Sequence, residues 1–355
     1  TVMIVRGHCT SLKSVTFEHR KLNHVVIRGI EMAFERLEIS RRKFMTRSSL
    51  AVTGMVAAAA SPAFSKSDTG VSSNRYHIEE KGKDTLRVAA CQILNYPEVE
   101  KSTKKILHWI EAAARDDVDV VAFPEACLCG YAGDEYWKTA RPADFKKAEG
   151  MVVEASKRLN IAVVLGTVHW ESEKIYNDLL VIDKGGLVRG RYSKTHLAES
   201  WPVPGKTLPV YKVAGVKSCF IICHDVRYPE LVRLPAVAGA QICYFCSHES
   251  GLKHEHKLSA YRAMPIARAT ENGIFCVMAN APADPQTLRG SHGNSKIIHP
   301  DGNVLVEAGY FKERLVTANI NISDATRWIA RRAAEDNTIL KQWLNEGTEL
   351  VRVYD

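Results

Sequence analysis

The chain has 355 residues, of which 46% are hydrophobic and 25% are charged, enough to bury one large core in one or two domains. Its net charge of +8 would suit a nucleic-acid-binding protein, but residues 1–65 contain 10 Lys and Arg against 4 Asp and Glu and so carry +6 of that charge. The rest of the chain is close to neutral, so the composition argues against a nucleic-acid partner.

An arginine pair precedes a short apolar segment near the start of the chain. Residues 40–46, SRRKFMT, lead into an alanine-rich stretch with small residues at its end, Ala63 and Ser65 among them. This arrangement resembles a twin-arginine export signal with a signal-peptidase site. The stretch is too short and too weakly apolar for a membrane span. We therefore predict a cleaved signal peptide at 32–65, export to the periplasm and no stable membrane anchor.

Two more segments precede the folded part of the chain. Residues 1–31 come before Met32, the well-placed start for such a leader, so we predict that they are an over-called extension of the reading frame. Residues 66–83 are rich in Ser, Lys and Gly and have no hydrophobic periodicity, which predicts a linker.

From residue 84 onward, short apolar runs alternate with longer amphipathic segments. The apolar runs predict strands and the amphipathic segments predict helices. The predicted strands are residues 86–93, 118–125, 161–170, 217–223, 241–247 and 274–280, and the predicted helices are residues 98–115, 143–159, 229–238 and 256–271. Because strands and helices alternate, we predict an α/β domain over 84–325.

Turn sequences and a distinct C-terminal segment complete this prediction. DKGG at 183–186 and PDG at 300–302 predict hairpins. Residues 326–355 contain two helical patterns and predict a C-terminal helical tail. An arm that wraps around a partner subunit is one interpretation of this tail.

The nine cysteines do not predict a metal centre. Cys243 and Cys246 have C-x-x-C spacing, but residues three apart in a strand face opposite sides of the sheet, and no second such pair exists. Apolar surroundings instead favour free core thiols for Cys91, Cys219 and Cys276, with disulfides as the alternative.

Histidines cluster in residues 247–257, SHESGLKHEHK, without the spacing of a zinc site. His254 and His256 lie two apart and diverge, and no H-E-x-x-H motif occurs. We therefore predict a solvated loop, including His248, and no metal site. The chain also lacks the glycine patterns of nucleotide-binding loops and the G-x-S-x-G motif of serine hydrolases.

Three chemically reactive side chains stand at the ends of apolar runs. Glu125 ends VVAFPE, Lys194 ends GRYSK and Cys223 ends FIIC. Because the strand ends of one α/β sheet open onto the same crevice, we expect these residues to converge. A carboxylate in an apolar cleft can take the proton of a thiol, and a nearby lysine can stabilise an oxyanion.

The stretches FPEACLCGY, YSKTHL and ICHDVRYPE resemble, in order and separation, the three signature blocks of the nitrilase superfamily of carbon–nitrogen hydrolases. Residues 267–280 and 293–305 resemble later blocks of that family, so the resemblance spans residues 86–320. It implies a four-layer α-β-β-α sandwich, a homodimer or higher homo-oligomer, a small amide or carbamoyl substrate and no cofactor.

The resemblance also implies roles for matching residues. Cys223 is the implied nucleophile, Glu125 its general base and Lys194 the oxyanion stabiliser, and Glu199 matches the second glutamate of the family. The backbone N–H of His224 is the implied second oxyanion donor. The His224 ring is the alternative base, but we expect it to point away along the strand end.

Two side chains are assigned to substrate binding. Arg227 can bind a substrate carboxylate, with an ion pair to Glu230 as the structural alternative. His196 can orient the lysine or the first glutamate, or only cap a turn.

The subclass depends on the residues around the nucleophile. True nitrilases have Trp-Glu where this chain has His224 and Asp225, so the resemblance favours an amidase or an N-carbamoyl hydrolase. Leu197 stands where D-carbamoylases have a histidine, which departs from that specific pattern. A true nitrilase and a non-catalytic exported binding protein on the same fold are the alternatives. The filled catalytic positions favour an enzyme.

Overall fold

A computed structural model describes residues 84–130, 134–249, 257–286, 290–336 and 340–355. The N-terminal extension, the signal peptide and the linker that the sequence predicts lie outside these residues. Within the described ranges, no helix is both long enough and apolar enough to cross a membrane.

Strands and helices alternate along most of the described chain. The strands are β1 (Thr85–Gln92), β2 (Val120–Ala122), β3 (Ala162–Glu171), β4 (Lys174–Asp183), β5 (Leu187–Ser193), β6 (Leu208–Val213), β7 (Val216–Ile222), β8 (Ile242–Ser247), β9 (Phe275–Asn280), β10 (Lys296–Ile298), β11 (Val304–Glu307), β12 (Arg314–Asn321) and β13 (Val351–Tyr354). The helices are α1 (Val99–Arg115), α2 (Asp134–Trp137), α3 (Pro142–Leu159), α4 (Glu230–Val237), α5 (Leu258–Thr270), α6 (Trp328–Asp336) and α7 (Lys341–Thr348).

The strands form two mixed sheets. The first has the order β12-β1-β2-β3-β4-β5, and the second has the order β11-β10-β9-β8-β7-β6-β13. Strands β1, β2 and β3 run parallel in the first sheet, as do β7, β8 and β9 in the second. These parallel strands are the ones that alternate with helices in the sequence, because a parallel connection needs a crossover.

Side-chain alternation along β1 divides its apolar residues between two cores. Val88 and Ala90 pack in a core shared with the second sheet, whereas Ala89 and Cys91 pack in a core shared with α1 and α3. Helices α4 and α5 pack on strands of the second sheet. The layers therefore follow the order α-β-β-α, which confirms the predicted four-layer sandwich.

Most predicted elements occur within a few residues of their predicted bounds, and the strand at 118–125 is the clearest exception. Strand β2 ends at Ala122. Pro124 has no N–H for a sheet hydrogen bond. Ala126, two residues later, has a left-handed backbone conformation with a φ of 48°. The chain therefore leaves the sheet just before Glu125.

The sequence patterns did not predict strands β6, β12 and β13, and each of these lies at or beside a sheet edge. Strands β12 and β13 are largely exposed or half-buried, so their apolar residues give a weak periodic signal. Strand β6 lies between β13 and β7. The backbone partners of β12 and β13 come from distant parts of the sequence, which a local pattern does not contain.

The C-terminal tail packs on the same chain. Its two predicted helices are present as α6 and α7, but the tail ends in β13, which pairs in parallel with β6. The prediction of a wholly helical tail is therefore wrong at its end. Leu344 of α7 is 2% exposed, and α7 contacts α4, so the tail helps to cover the second sheet.

Candidate active site

Glu125, Lys194 and Cys223 all stand just beyond strand ends. Lys194 and Cys223 directly follow β5 and β7, and Glu125 comes three residues after the end of β2. Strands β2 and β5 belong to the first sheet and β7 to the second. The expectation that one sheet supplies all three is therefore wrong, because the two facing sheets each contribute.

Two glycines allow close backbone contacts beside the charged residues. A Cβ at Gly166 of β3 would lie 1.9 Å from the carbonyl oxygen of Pro124, and a Cβ at Gly205 would lie 2.3 Å from that of Ser193. Only a residue without a Cβ fits at these points. The segments that carry the glutamate and the lysine are thereby held against their neighbours.

The Glu125 carboxylate is fully buried and accepts hydrogen bonds from three different segments. Its Oε1 accepts from Asn177 Nδ2 of β4 at 2.8 Å and from Lys194 Nζ at 2.8 Å. Its Oε2 accepts from the backbone N–H of His248 at 2.9 Å. These donors fix both oxygens, so the carboxylate has one orientation.

Lys194 lies between two carboxylates. Its Nζ donates to Glu125 Oε1 at 2.8 Å and to Glu199 Oε1 at 2.5 Å, and its side chain is 0% exposed. Burial lowers the pKa of Lys194, but the acidic groups around it, Glu125 first, together outweigh burial, so the pKa lies above its ordinary value. The side chain is therefore an ammonium at neutral pH.

The surroundings of Glu199 disfavour its ionised form. Burial and then the charge of Glu125 raise the pKa of Glu199 to about 8. Its Oε2 accepts from the backbone N–H of Ala198 at 3.0 Å. Glu199 therefore completes a hydrogen-bonded series of glutamate, lysine and glutamate, as its sequence position suggested.

Cys223 begins a 3-10 turn and has a left-handed backbone conformation, with a φ of 43°. Such a conformation is unfavourable for a residue with a side chain and is typical of functional sites. The Sγ atom lies 3.9 Å from the carbonyl oxygen of His248, so the backbone of His248 contacts Cys223 through its carbonyl oxygen and Glu125 through its N–H. Burial, followed by the charge of Glu125, raises the pKa of the Cys223 thiol well above its ordinary value.

Asp225 ties the turn of Cys223 to the loop of Lys194, and the sequence analysis gave it no such role. Its buried carboxylate accepts from the Tyr192 hydroxyl at 2.7 Å, from the backbone N–H of His196 at 2.8 Å and from that of Ile222 at 3.0 Å. Its position two residues after the cysteine was the available signal, because a buried carboxylate near a turn commonly caps backbone N–H groups.

The proposed substrate-binding side chains lie at the outer side of this turn. The His196 ring stacks on Tyr228 with centroids 3.4 Å apart, and the His224 ring meets the same tyrosine edge-on. Arg227 is exposed, and its Nη2 lies 3.4 Å from the Tyr261 hydroxyl. The contacts of His196 are with Asp225 and Tyr228 rather than with the lysine or the first glutamate.

The prediction of a solvated loop is wrong for the first residues of the histidine cluster. The His248 backbone contacts the site, and Glu249 is 3% exposed and bonded to His292, with 2.6 Å between Oε2 and Nε2. His254 and His256 lie outside the described residues. Across the described ranges, no group of three or more His, Cys, Asp or Glu is placed to hold a metal ion.

Free thiols other than Cys223 line the cores. The described cysteines are all unbridged and buried, namely Cys91, Cys127, Cys129, Cys219, Cys223, Cys243, Cys246 and Cys276. Cys219, Cys243 and Cys276 lie side by side on β7, β8 and β9, as expected for small core residues.

Comparisons with known proteins agree with this arrangement. Residues 87–330 match the model of the carbon-nitrogen hydrolase family. The chain is 30% identical to the "Hydrolase in agr operon" of Staphylococcus lugdunensis over 59% of this chain and 92% of that protein. It is 29% identical to the 2-oxoglutaramate amidase of Bacillus subtilis strain 168 over 65% of this chain and 89% of that protein.

A solved structure shows the same fold. It is a mutant of the amidase from Nesterenkonia sp. AN1 showing covalent addition of the acetamide moiety of fluoroacetamide at the active site cysteine. The TM-score is 0.64 at 23% identity, over 74% of this chain and 98% of that one. Together with the matched family model, this places the present chain by sequence and by fold: it belongs to the carbon-nitrogen hydrolase family and is an enzyme of that class.

Proposed function

We propose that the enzyme hydrolyses the C–N bond of a small linear amide through a thioester on Cys223. The observation that carries this proposal is the fixed Glu125 carboxylate, because the backbone of His248 contacts both this carboxylate and the Cys223 thiol. Burial keeps the thiol protonated by raising its pKa, so attack needs a base at that position. The relatives named as amidases support an amide substrate.

The acylation step follows from these groups. Glu125 takes the proton of the Cys223 thiol, and the sulfur attacks the amide carbon. The ammonium of Lys194 and the backbone N–H of His224 donate hydrogen bonds to the resulting oxyanion. Glu125 then gives its proton to the departing nitrogen, the C–N bond breaks, and a thioester remains.

Deacylation uses Glu125 as a base a second time, now toward water. Glu125 takes a proton from water, and the hydroxide attacks the thioester carbon. The C–S bond breaks, the sulfur regains a proton from Glu125, and the carboxylic acid leaves. Glu199 contributes by accepting a second hydrogen bond from Lys194 Nζ at 2.5 Å, which helps to hold the ammonium in place.

The experiment is ammonia release by the purified enzyme from acetamide, propionamide, N-carbamoyl-β-alanine and propionitrile. We expect release from the two amides, none from a Cys223→Ala variant and retained release from Cys219→Ala, a matched change of a buried thiol elsewhere in the fold. Release from the carbamoyl compound or the nitrile alone would instead assign an N-carbamoyl hydrolase or a true nitrilase. No release from any compound, with Cys223 inert to iodoacetamide, would indicate a binding protein.

We also infer export by the twin-arginine route, supported by the arginine pair and the alanine-rich segment at 40–65. Replacing Arg41 and Arg42 with lysine should leave the full chain in the cytoplasm of a bacterium with a working twin-arginine translocase. Unchanged export of the Lys-Lys variant would contradict this. N-terminal sequencing of the exported protein checks cleavage before residue 66.

A homodimer or higher homo-oligomer is the proposed assembly, as the family resemblance implies. Light scattering on the purified enzyme should then give a mass at least twice the 39.5 kDa of the full chain, allowing for any cleaved leader. A monomeric mass at micromolar concentration would contradict it.

A further inference from the structure

A buried pair of titratable side chains adjoins the candidate site, and no step of the proposed reaction uses it. Glu249 Oε2 lies 2.6 Å from His292 Nε2, and the two side chains are 0% and 1% exposed. Glu249 comes after β8 and His292 lies in the connection between β9 and β10. We refer to these two residues as the Glu249–His292 pair.

The backbone connects this pair directly to the reacting groups. Glu249 follows His248, whose N–H donates to Glu125 at 2.9 Å and whose carbonyl oxygen lies 3.9 Å from Cys223 Sγ. The charge of Glu249 is close enough to contribute, after burial and Glu125, to the raised pKa of the Cys223 thiol. The pair is therefore next to the place where an acyl group would be bound.

Asn280 holds the two sides of the pair together. Its Oδ1 accepts from the backbone N–H of Glu249 at 3.4 Å and from the Ser291 hydroxyl at 2.7 Å. Its Nδ2 donates to the carbonyl oxygen of Gly293 at 2.8 Å. The segments on either side of His292 are thereby fixed, so the pair is held rigidly, as a recognition site requires.

The chemistry of the pair favours a ligand that donates hydrogen bonds. An ionised carboxylate only accepts, and a neutral imidazole bonded through one nitrogen leaves the other as an acceptor. His292 Nδ1 has no hydrogen-bond partner among the described residues. A buried carboxylate is costly without a full positive charge beside it, and histidine provides one only when protonated.

An aromatic ring beside the pair also contacts an arginine. The Tyr261 ring stacks on His292 with centroids 5.5 Å apart, and the Arg227 guanidinium lies 5.4 Å from the centre of the same ring. Tyr261 thus contacts both the buried pair and the exposed Arg227. The pair itself offers acceptor atoms, whereas the buried ammonium of Lys194 is already bonded to Glu125 and Glu199 and Arg227 is exposed.

We propose that the Glu249–His292 pair binds a positively charged amino group on the acyl part of the substrate, so that the enzyme prefers amides of short amino-bearing acids. Because a primary amide loses only ammonia, any other polar group that the enzyme recognises lies on the acyl part. This specificity rests on the proposed amidase function. The preferred substrate class is therefore amino-substituted short amides rather than neutral or carboxylate-bearing ones.

The binding test uses the Cys223→Ala enzyme, which holds amides without turning them over. Affinities are measured by calorimetry for 3-aminopropionamide, propionamide and succinamate, which are cationic, neutral and anionic. We expect the cationic amide to bind roughly ten- to hundredfold more tightly than propionamide. Adding Glu249→Gln should remove that preference, and adding Glu307→Gln, a carboxylate paired with Lys296 at 2.9 Å, should retain it.

Equal affinities, a preference for succinamate or an absence of binding by the cationic amide would each overturn the proposal. A preference that survives Glu249→Gln would also overturn it. If Glu249→Gln does not fold, as judged by circular dichroism, His292→Asn takes its place. Ammonia release from propionamide by the unmutated enzyme reports on the amidase function separately, so activity without a cationic preference would reject this specificity alone.

Discussion

At the scale of single residues, one ammonium group has two carboxylate partners with different properties. Glu125 accepts from three donors that fix its orientation. Glu199 has a pKa of about 8 because burial, and then the charge of Glu125, disfavour its ionised form. Lys194 therefore faces one rigid acceptor and one group whose charge changes just above neutral pH. This difference suits Glu125 to proton transfer and Glu199 to positioning.

Replacing Glu125 with glutamine should stop turnover without unfolding the protein. The amide has nearly the shape of the carboxylate, but it cannot take the thiol proton. We expect kcat to fall by roughly three to six decades, measured as ammonia release from the best amide. Glu111→Gln, which removes a surface partner of Arg158, serves as the control. Native kinetics in the Glu125 variant would remove this residue from the mechanism.

The raised pKa of Glu199 should appear in the pH dependence of stability. The unfolded chain ionises this carboxyl near pH 4.5 and the folded chain near pH 8, so the folded state binds the extra proton between these values. The stability that Glu199 contributes is complete below the lower value and is lost as pH rises through the upper one.

Glu199→Gln should remove this dependence. Relative to the unmutated protein, its free energy of unfolding should rise between pH 5 and pH 8, by an amount on the order of a few kcal/mol. Urea unfolding at several pH values measures the difference. A constant difference across this range would show that Glu199 ionises as an ordinary surface carboxyl does.

At the scale of elements, the site depends on two connections that leave different sheets. The loop after β5 carries Lys194, and the turn after β7 carries Cys223. Asp225 accepts hydrogen bonds from Tyr192 and His196 on the first side and from Ile222 on the second. The left-handed conformation of Cys223 is unfavourable by itself. The buried carboxylate of Asp225 provides compensating hydrogen bonds, so it stabilises the turn in the form that presents the sulfur.

Asp225→Asn should impair the positioning of the Cys223 thiol more than the binding of the substrate. The amide nitrogen cannot accept from the Ile222 N–H, so the turn loses one charge-assisted hydrogen bond. We expect kcat to fall roughly ten- to hundredfold with little change in KM, together with slower alkylation of Cys223 by iodoacetamide. Asp301→Asn, at a half-exposed hairpin carboxylate, is the control. A change in melting temperature without a change in alkylation rate would indicate a purely structural role.

At the scale of the whole molecule, the C-terminal tail completes the layer on the second sheet. Strand β13 adds to the edge of β6, and α7 packs on α4. Long open edge strands attract unwanted pairing partners, and the four-residue β13 replaces β6 as the edge of this sheet. The tail thus belongs to the folded domain, although most of it lies beyond the family match, which ends at residue 330.

Adjacent residues of α7 test this conclusion. Leu344 is 2% exposed and Trp343 is 43% exposed. Leu344→Ala should lower the free energy of unfolding by roughly 2–5 kcal/mol because it leaves a cavity, whereas Trp343→Ala should lower it by under about 1 kcal/mol. Urea unfolding measures both. Equal small effects would mean that the tail unfolds independently of the domain.

Local sequence patterns by themselves predict many of the strands and helices of this protein. The apolar runs and amphipathic segments identified the parallel strands and their helices, because hydrophobic periodicity is a short-range property. The order of Glu125, Lys194 and Cys223 along the chain, each after an apolar run, indicated the family and made these residues the candidate reactive groups. Hydrolysis of a C–N bond by a thiol was therefore an inference available from the sequence.

Tertiary structure decided what depends on long-range contacts. The division of the site between two sheets, the pairing of β13 with β6, the bonds of Asp225 and the Glu249–His292 pair each join residues distant in sequence. The local sequence around Glu249 predicts a polar loop. Only the packing of other segments around this side chain buries its carboxyl group. Burial and partnership are properties of the assembled fold, whereas periodicity and motif order are properties of the chain itself.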